Sequence, residues 1–205
     1  MKKTPLFFWI MLMMAMPVSA LSEQDIKQAY SDSYLYEQQG RLEKSIQALV
    51  PVVAAYPLAY TVNLRLGYLN FNAKQYDKSI KFYAKASQAL PASLEPKLAK
   101  MLVLIAQTRH AQAIQVGYHL LAVDPYNYYA NLRLAYCLRL EKKYDVAEKI
   151  VTKMLALYPI DEAFLSEYVL LANRQGRFKQ ALETLSSIQI LYPNNTLSKN
   201  RLLTK

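Results

Sequence analysis

Apolar and polar residues alternate with a helical period between positions 128 and 159, in two stripes that a charged break at 141–143 separates. Pro159 ends the second stripe, because proline has no N–H and a fixed φ. The first stripe consists of Asn131, Leu134, Ala135 and Leu138, and the second of Tyr144, Ala147, Val151, Met154 and Tyr158. The pattern predicts two amphipathic helices that pack their apolar faces together as a hairpin.

The same pattern recurs at a constant interval along the chain, and prolines at positions 57, 91, 125, 159 and 193 mark it. We therefore predict five units at 26–59, 60–93, 94–127, 128–161 and 162–195, after a lead-in at 21–25. The twentieth place of each unit is small, as close helix packing requires, with Ser45, Ser79, Ala113, Ala147 and Ala181. Gly40 and Gly176 fall at the turn between the two helices, where a helix end often needs a positive φ.

This pattern resembles the tetratricopeptide repeat family. A small residue stands at Gly67 or Ala135, an aromatic at Tyr76, Tyr144 or Phe178, and a proline closes each unit. The resemblance implies an all-α fold, a solenoid of about five helix-turn-helix repeats.

Units one and three depart most from the family pattern. Met101 replaces the small residue, His110 the aromatic, and Gly117 stands where Tyr83 stands in unit two. In unit one, Ser33 replaces the small residue and Pro51 interrupts the second helix. We expect these two units to be distorted, and His110 to be a packed histidine.

The resemblance also implies a concave surface lined by the first helices. We predict that its partner-binding residues are Tyr30, Tyr34, Arg65, Tyr68, Phe71, Tyr129, Arg133, Tyr136, Arg139 and Arg174. Tyrosine offers rigid contact area with a polar tip, and arginine offers a fork for carboxylates. The alternative is that these tyrosines only pack between repeats.

Residues 1–20 differ in composition from the rest of the chain. Lys2 and Lys3 precede an apolar run at 6–16, and the small residues at 18–20 end it. This is the pattern of a secretory signal peptide cleaved before Leu21. We expect an exported, mainly periplasmic protein; an inner-membrane anchor or a secreted product is the alternative.

The chain carries a net charge of +10. Export argues against nucleic acid as the partner of this basic surface, and favours an acidic glycan or an anionic envelope surface, unless the charges are only solvated. The oligomeric state is open.

No enzymatic chemistry is apparent in the sequence. The two histidines form no metal-binding or catalytic motif, and no phosphate-binding glycine loop occurs. We expect no enzyme activity, no cofactor and no metal. Cys137 aligns with apolar residues in the other units, which predicts a buried, unreactive thiol.

We therefore expect a non-enzymatic scaffold or adaptor that binds a protein or peptide through its concave face, in envelope assembly or secretion. The alternative is a glycan-binding module of an exopolysaccharide export system. Residues 196–205 should form a short, incomplete cap that leaves apolar surface near Leu165, Val169 and Ala172.

Overall fold

The structure, a computed structural model, describes residues 21–199. The predicted signal peptide, and the end of the predicted cap from position 200 onward, lie outside this range. Within this range every regular secondary-structure element is a helix. The helices are α1 Glu23–Gln38, α2 Leu42–Ala48, α3 Val50–Ala55, α4 Tyr60–Asn72, α5 Tyr76–Ala89, α6 Glu95–Ala106, α7 His110–Val123, α8 Tyr128–Leu140, α9 Tyr144–Leu157, α10 Glu162–Arg174, α11 Phe178–Leu191 and α12 Thr196–Lys199.

Residues 23–191 form five stacked helical hairpins. Each first helix, α1, α4, α6, α8 or α10, packs against the helix that follows it, and adjacent hairpins pack against each other. The predicted all-α solenoid is therefore confirmed. In the first hairpin the second helix is divided at Leu49, which caps the end of α2 and the start of α3, because Pro51 cannot donate a backbone hydrogen bond there.

The turn inside each hairpin has one residue in the left-handed region. Gly40 and Gly176 have φ of 71° and 74°, as predicted. Non-glycine residues adopt the same conformation in the middle units, with Lys74 at 56°, Thr108 at 57° and Lys142 at 58°. A side chain disfavours this region, and a β-branched one most of all, so the turn of the third unit is strained.

Thr108→Gly should raise the free energy of unfolding by about 1 kcal/mol, because glycine adopts a positive φ without steric cost. The threonine hydroxyl donates only to the exposed Gln107 carbonyl, so its loss costs little. Thermal melts should show an increase of roughly 2–4 °C. Gly40→Ala is the matched control and should shift the melt the opposite way; a Thr108→Gly protein that melts lower would contradict the strain.

Small residues bring the two helices of each hairpin together. The twentieth places are buried in all five units, as predicted. Ser45 and Ser79 also donate hydrogen bonds across the hairpin, to the carbonyls of Ser33 and Gly67, at 2.7 Å each. Polar small residues are therefore tolerated in the core because the opposite helix offers them a backbone acceptor.

Unit three is not distorted, contrary to the expectation from its sequence. Its helices have 12 and 14 residues, close to the 13 and 14 of unit two. The large Met101 faces the small Gly117, whereas in unit two the small Gly67 faces the large Tyr83. The large and the small residue have changed helices between the two units, so the combined side-chain volume at the contact, and with it the distance between the two helices, is similar.

Two buried asparagines fasten loops to the helices that follow them. The Asn63 amide nitrogen donates to the Pro57 and Ala59 carbonyls, at 3.0 and 2.7 Å. Asn131 makes the same pair of bonds two units later, to the Pro125 and Asn127 carbonyls. Both side chains stand in the predicted apolar stripe, where their role is to satisfy loop carbonyls rather than to fill space.

Polar side chains also join neighbouring units. Asp77 and Asp145, which lie at the starts of α5 and α9, accept hydrogen bonds from Gln107 and Gln175 of the following unit. The register between repeats is therefore fixed by polar contacts as well as by the core.

The last hairpin is covered differently from the prediction. Leu197 of α12 packs against the core cluster of this hairpin. Val169 and Ala172 are fully buried and Leu165 is partly buried, because they pack with residues of α11, so the expected exposed surface at these positions is wrong. The exposed apolar side chains nearby belong to α11 instead, and Ile190 is 81% exposed.

Candidate binding groove

The concave side of the first four units holds a groove with a volume of about 970 Å³. Its walls are formed mainly by one face of each of the helices α1, α4, α6 and α8. Seven of the ten predicted binding residues line it: Tyr30, Tyr34, Arg65, Tyr68, Phe71, Tyr129 and Arg133. Apolar side chains form most of the floor, among them Leu64, Leu98 and Leu102.

Three tyrosines of the groove are exposed rather than packed between repeats. Tyr34, Tyr68 and Tyr129 keep 51%, 43% and 57% of their surface accessible. Tyr30 donates its hydroxyl to Thr61 of the next unit at 3.2 Å. Much of the aromatic surface thus faces the open groove and is free to contact a ligand.

Arg65 is committed to internal contacts. One guanidinium nitrogen lies 2.5 Å from a Glu37 carboxylate oxygen, and the side chain is only 10% exposed. Its guanidinium carbon lies 4.0 Å from the centre of the Tyr34 ring and 5.7 Å from that of Tyr68. Arg65 therefore orders the aromatic wall and has its charge neutralised within the protein.

Arg133 is the contrasting arginine. Its Nη1 donates to the Leu98 carbonyl at 2.8 Å, and its guanidinium lies 5.3 Å from the centre of the Tyr129 ring. Within residues 21–199 no carboxylate is in ion-pair range of it. Burial lowers the pKa of Arg133, with the nearby Tyr129 acting in the opposite direction. The groove thus contains a partly buried cation that has no ion-pair partner among these residues.

A pair of positions that recurs between adjacent units explains why the two arginines differ in their ion pairs. Glu37 and Arg65 have the same separation in sequence as Arg139 and Glu167, which form a second ion pair with the two charges exchanged. At the equivalent place before Arg133 stands Ile105, which is apolar. Arg133 has no ion pair because the position that would hold its acidic partner is occupied by Ile105.

Comparison with known families decides which repeat this is. The sequence profile described as Tetratricopeptide repeat matches residues 33–93, which include most of units one and two. Residues 33–93 are therefore tetratricopeptide repeats. No curated protein matches its sequence.

Several solved structures share the fold, and two of them are described as tetratricopeptide repeat proteins. One, from Parabacteroides merdae ATCC 43184, has a TM-score of 0.77 at 15% identity and covers 84% of this chain and 68% of its own. MamA from Desulfovibrio magneticus RS-1 has a TM-score of 0.75 at 16% identity, over 84% and 97%. YrrB, described as having an unusual peptide-binding site, has a TM-score of 0.69 at 15% identity, over 85% and 91%. Identities this low establish a common fold alone.

Three predicted site residues lie outside the groove. Arg139 makes a two-pronged ion pair with the buried Glu167, at 2.5 and 3.2 Å, and its guanidinium lies over the Tyr136 ring. Burial raises the pKa of Glu167, against the lowering effect of Arg139. Arg174 is exposed at the end of α10. Tyr136 is 37% exposed and its ring also contacts His110.

Several groove residues were not predicted from the sequence. Glu95, Leu98 and Leu102 occupy the places that the resemblance assigns to the concave surface, but they are neither aromatic nor basic. Tyr83 reaches the groove from a second helix. The unit-three residues could have been found by applying the family's places to every unit rather than to aromatic and basic residues alone.

The other reactive side chains have structural roles. Cys137 is fully buried, as predicted, and burial raises the pKa of its thiol to about 12. His110 packs edge-on against Tyr136, with its Nδ1 3.7 Å from Glu141. Among residues 21–199, no group of three histidine, cysteine or acidic side chains could hold a metal ion.

Proposed function

We propose that this tetratricopeptide repeat protein is a non-enzymatic scaffold of the bacterial envelope that binds an extended peptide segment of a protein partner in its groove. The observation that carries the proposal is the unpaired Arg133 between an aromatic wall and an apolar floor. The fold is that of a family of protein-interaction modules, and the similar protein YrrB is described as having a peptide-binding site.

The groove favours a peptide that carries a carboxylate beside apolar or aromatic side chains. Nη1 of Arg133 is used by Leu98, so its other donors can bind a ligand carboxylate through charge-assisted hydrogen bonds. Leu98 and Leu102 offer apolar contact on one side, and Tyr68 and Tyr129 offer rings on the other. A ligand carboxylate would supply the counter-charge that Ile105 does not.

Export to the periplasm is the second part of the proposal. It rests on the sequence of residues 1–20, with its basic start, apolar run and small-residue end. No helix within residues 21–199 is long and apolar enough to span a membrane. A role in envelope assembly or secretion would place the peptide partner in that compartment.

Tyr68→Ala combined with Arg133→Gln should weaken capture of the partner by at least about a hundredfold, since a hydrogen bond to a charged group and an aromatic anchor each contribute roughly 1.5–3 kcal/mol. The measurement is quantitative crosslinking capture from periplasmic extract, with circular dichroism to verify the fold. The matched control, Tyr118→Ala with Lys149→Gln, removes one tyrosine and one cation from the second helices. Equal capture by both double variants would overturn the proposal.

Ile105→Glu provides an independent test that removes no groove side chain. It places an acid before Arg133 at the place that Glu37 occupies before Arg65, and should neutralise Arg133 within the protein. Capture should fall by about tenfold while the helical signal is kept. The glycan-binding alternative would be favoured if the protein were retained on acidic polysaccharide, if Ile105→Glu left this retention unchanged, and if peptides failed to displace the protein.

A further inference from the structure

Unit three has two lysines at places that are core in the neighbouring units. Lys97 aligns with the buried Asn63 and Asn131, and Lys100 aligns with Leu66 and Leu134, which are 1% and 0% exposed. Both lysines are only partly buried. A core that is sealed in units two and four is therefore open and cationic in unit three.

Lys97 retains part of the role of the asparagines. Its Nζ donates to the Pro91 carbonyl, the counterpart of the Pro57 and Pro125 carbonyls that the asparagines bind. The ammonium group has two further N–H donors that no carbonyl of this loop satisfies. The substitution therefore keeps the loop attached and adds a positive charge.

The two lysines open into a crevice of about 300 Å³ between α5, α6 and α7. This crevice shares no lining residue with the binding groove and lies against the second helices. Ala84, Val116 and Leu120 give it an apolar floor. Ser87 from α5 and His119 from α7 complete the lining, in which no residue carries a carboxylate.

The electrostatic balance of the crevice is incomplete without a ligand. Among residues 21–199, the Lys100 ammonium group has neither an ion pair nor a hydrogen bond, and no lining residue carries a negative charge that would neutralise Lys97. A partly buried ammonium group without a counter-charge is destabilising. A buried leucine at position 100, as in two other units, would avoid that cost, and so an anion is the partner that the lining lacks.

We propose that this crevice is a binding site for a phosphate group. Two lysines, a serine and a histidine from three helices line the crevice, and this set of donors suits an anion with several acceptor oxygens. Lysine binds phosphate as a point charge, whereas the planar fork that favours a carboxylate is absent from the lining. The phosphate belongs either to a small soluble molecule or to a phospholipid headgroup, since the recognising chemistry is the same.

The sequence of the other units supplies the test variant. Lys97→Asn with Lys100→Leu gives unit three the residues of units two and four, so it should fold and should melt at least as high as the parent. Lys78→Asn with Lys81→Leu is the matched control, because it makes the same substitutions at exposed positions of α5. Lys100→Gln provides a third variant that removes the charge with little change in length.

Melting of each purified protein is followed against sodium phosphate, with sodium chloride added to keep the ionic strength constant. The parent and the Lys78/Lys81 variant should show a saturable rise of about 3 °C at tenfold excess over the dissociation constant. The Lys97/Lys100 variant and Lys100→Gln should lose it. A rise of equal size in all four proteins, or none in the parent, would overturn the proposal, since phosphate also stabilises proteins by exclusion from their surfaces.

Vesicle sedimentation distinguishes the two sources of phosphate. Binding to phosphatidylglycerol vesicles but not to phosphatidylcholine vesicles, lost in the Lys97/Lys100 variant and kept in the control, would assign the site to a headgroup. A saturable melting shift with no vesicle binding would assign it to a soluble phosphate.

Discussion

Gly67→Ala should lower the free energy of unfolding by about 3 kcal/mol, because the new methyl group has no room. A Cβ built at this position lies 2.5 Å from two carbons of the Tyr83 ring, far inside van der Waals contact. Tyr83 is itself 4% exposed and cannot turn away without opening the hairpin. The melting temperature should fall by roughly 6–12 °C.

Tyr83→Val in the same protein should restore most of this loss. The pair would then match Ala135 and Val151, which occupy these two places in unit four and are both fully buried. A double-mutant cycle on melts measures the coupling. If Gly67→Ala were tolerated alone, or if the Tyr83→Val change added to its cost, the reciprocal exchange of volume between the two helices would be refuted.

Glu167→Ala should be equally damaging for a different reason. It removes the only carboxylate that pairs with Arg139 within residues 21–199, and leaves a guanidinium that is 11% exposed without a counter-charge. Breaking a buried ion pair from one side costs about 3–5 kcal/mol. Denaturant unfolding should show the loss as a lower midpoint with an unchanged slope.

Replacing both partners should cost less than removing Glu167 alone. Arg139→Phe with Glu167→Ala introduces the residue pair found between units two and three, where Phe71 and Ala99 stand at the corresponding places. No buried charge then remains to be compensated. An additive loss in the double variant would show that the pair contributes by packing rather than by charge balance.

The helical array was predictable because its cause is local and repeated. The proline ladder and the apolar stripes recur at the same interval in every unit, so five hairpins follow from the sequence. The same alignment predicted the buried Cys137, the positive φ at Gly40 and the interruption at Pro51, since each depends on its place within a unit.

The binding surface was predictable only in part because its chemistry depends on contacts between units. The exposed tyrosines of the first helices were found, but the arginines were treated alike. Arg65 and Arg139 each form an ion pair with an acid of an adjacent unit, whereas Arg133 does not. This difference appears only when the residues of adjacent units are compared. The regular packing of unit three likewise results from Met101 and Gly117 together, and neither residue predicts it alone.

Site-specific photocrosslinking in cells tests the proposed binding groove most directly. A photoreactive amino acid replaces either Leu102, which lies in the groove and is 36% exposed, or Tyr118 of α7, which is 44% exposed and lies outside the groove lining. The proposal predicts a discrete crosslinked partner from position 102, lost when Ile105→Glu is added, and none from position 118. A partner crosslinked from position 118 and not from position 102 would contradict it.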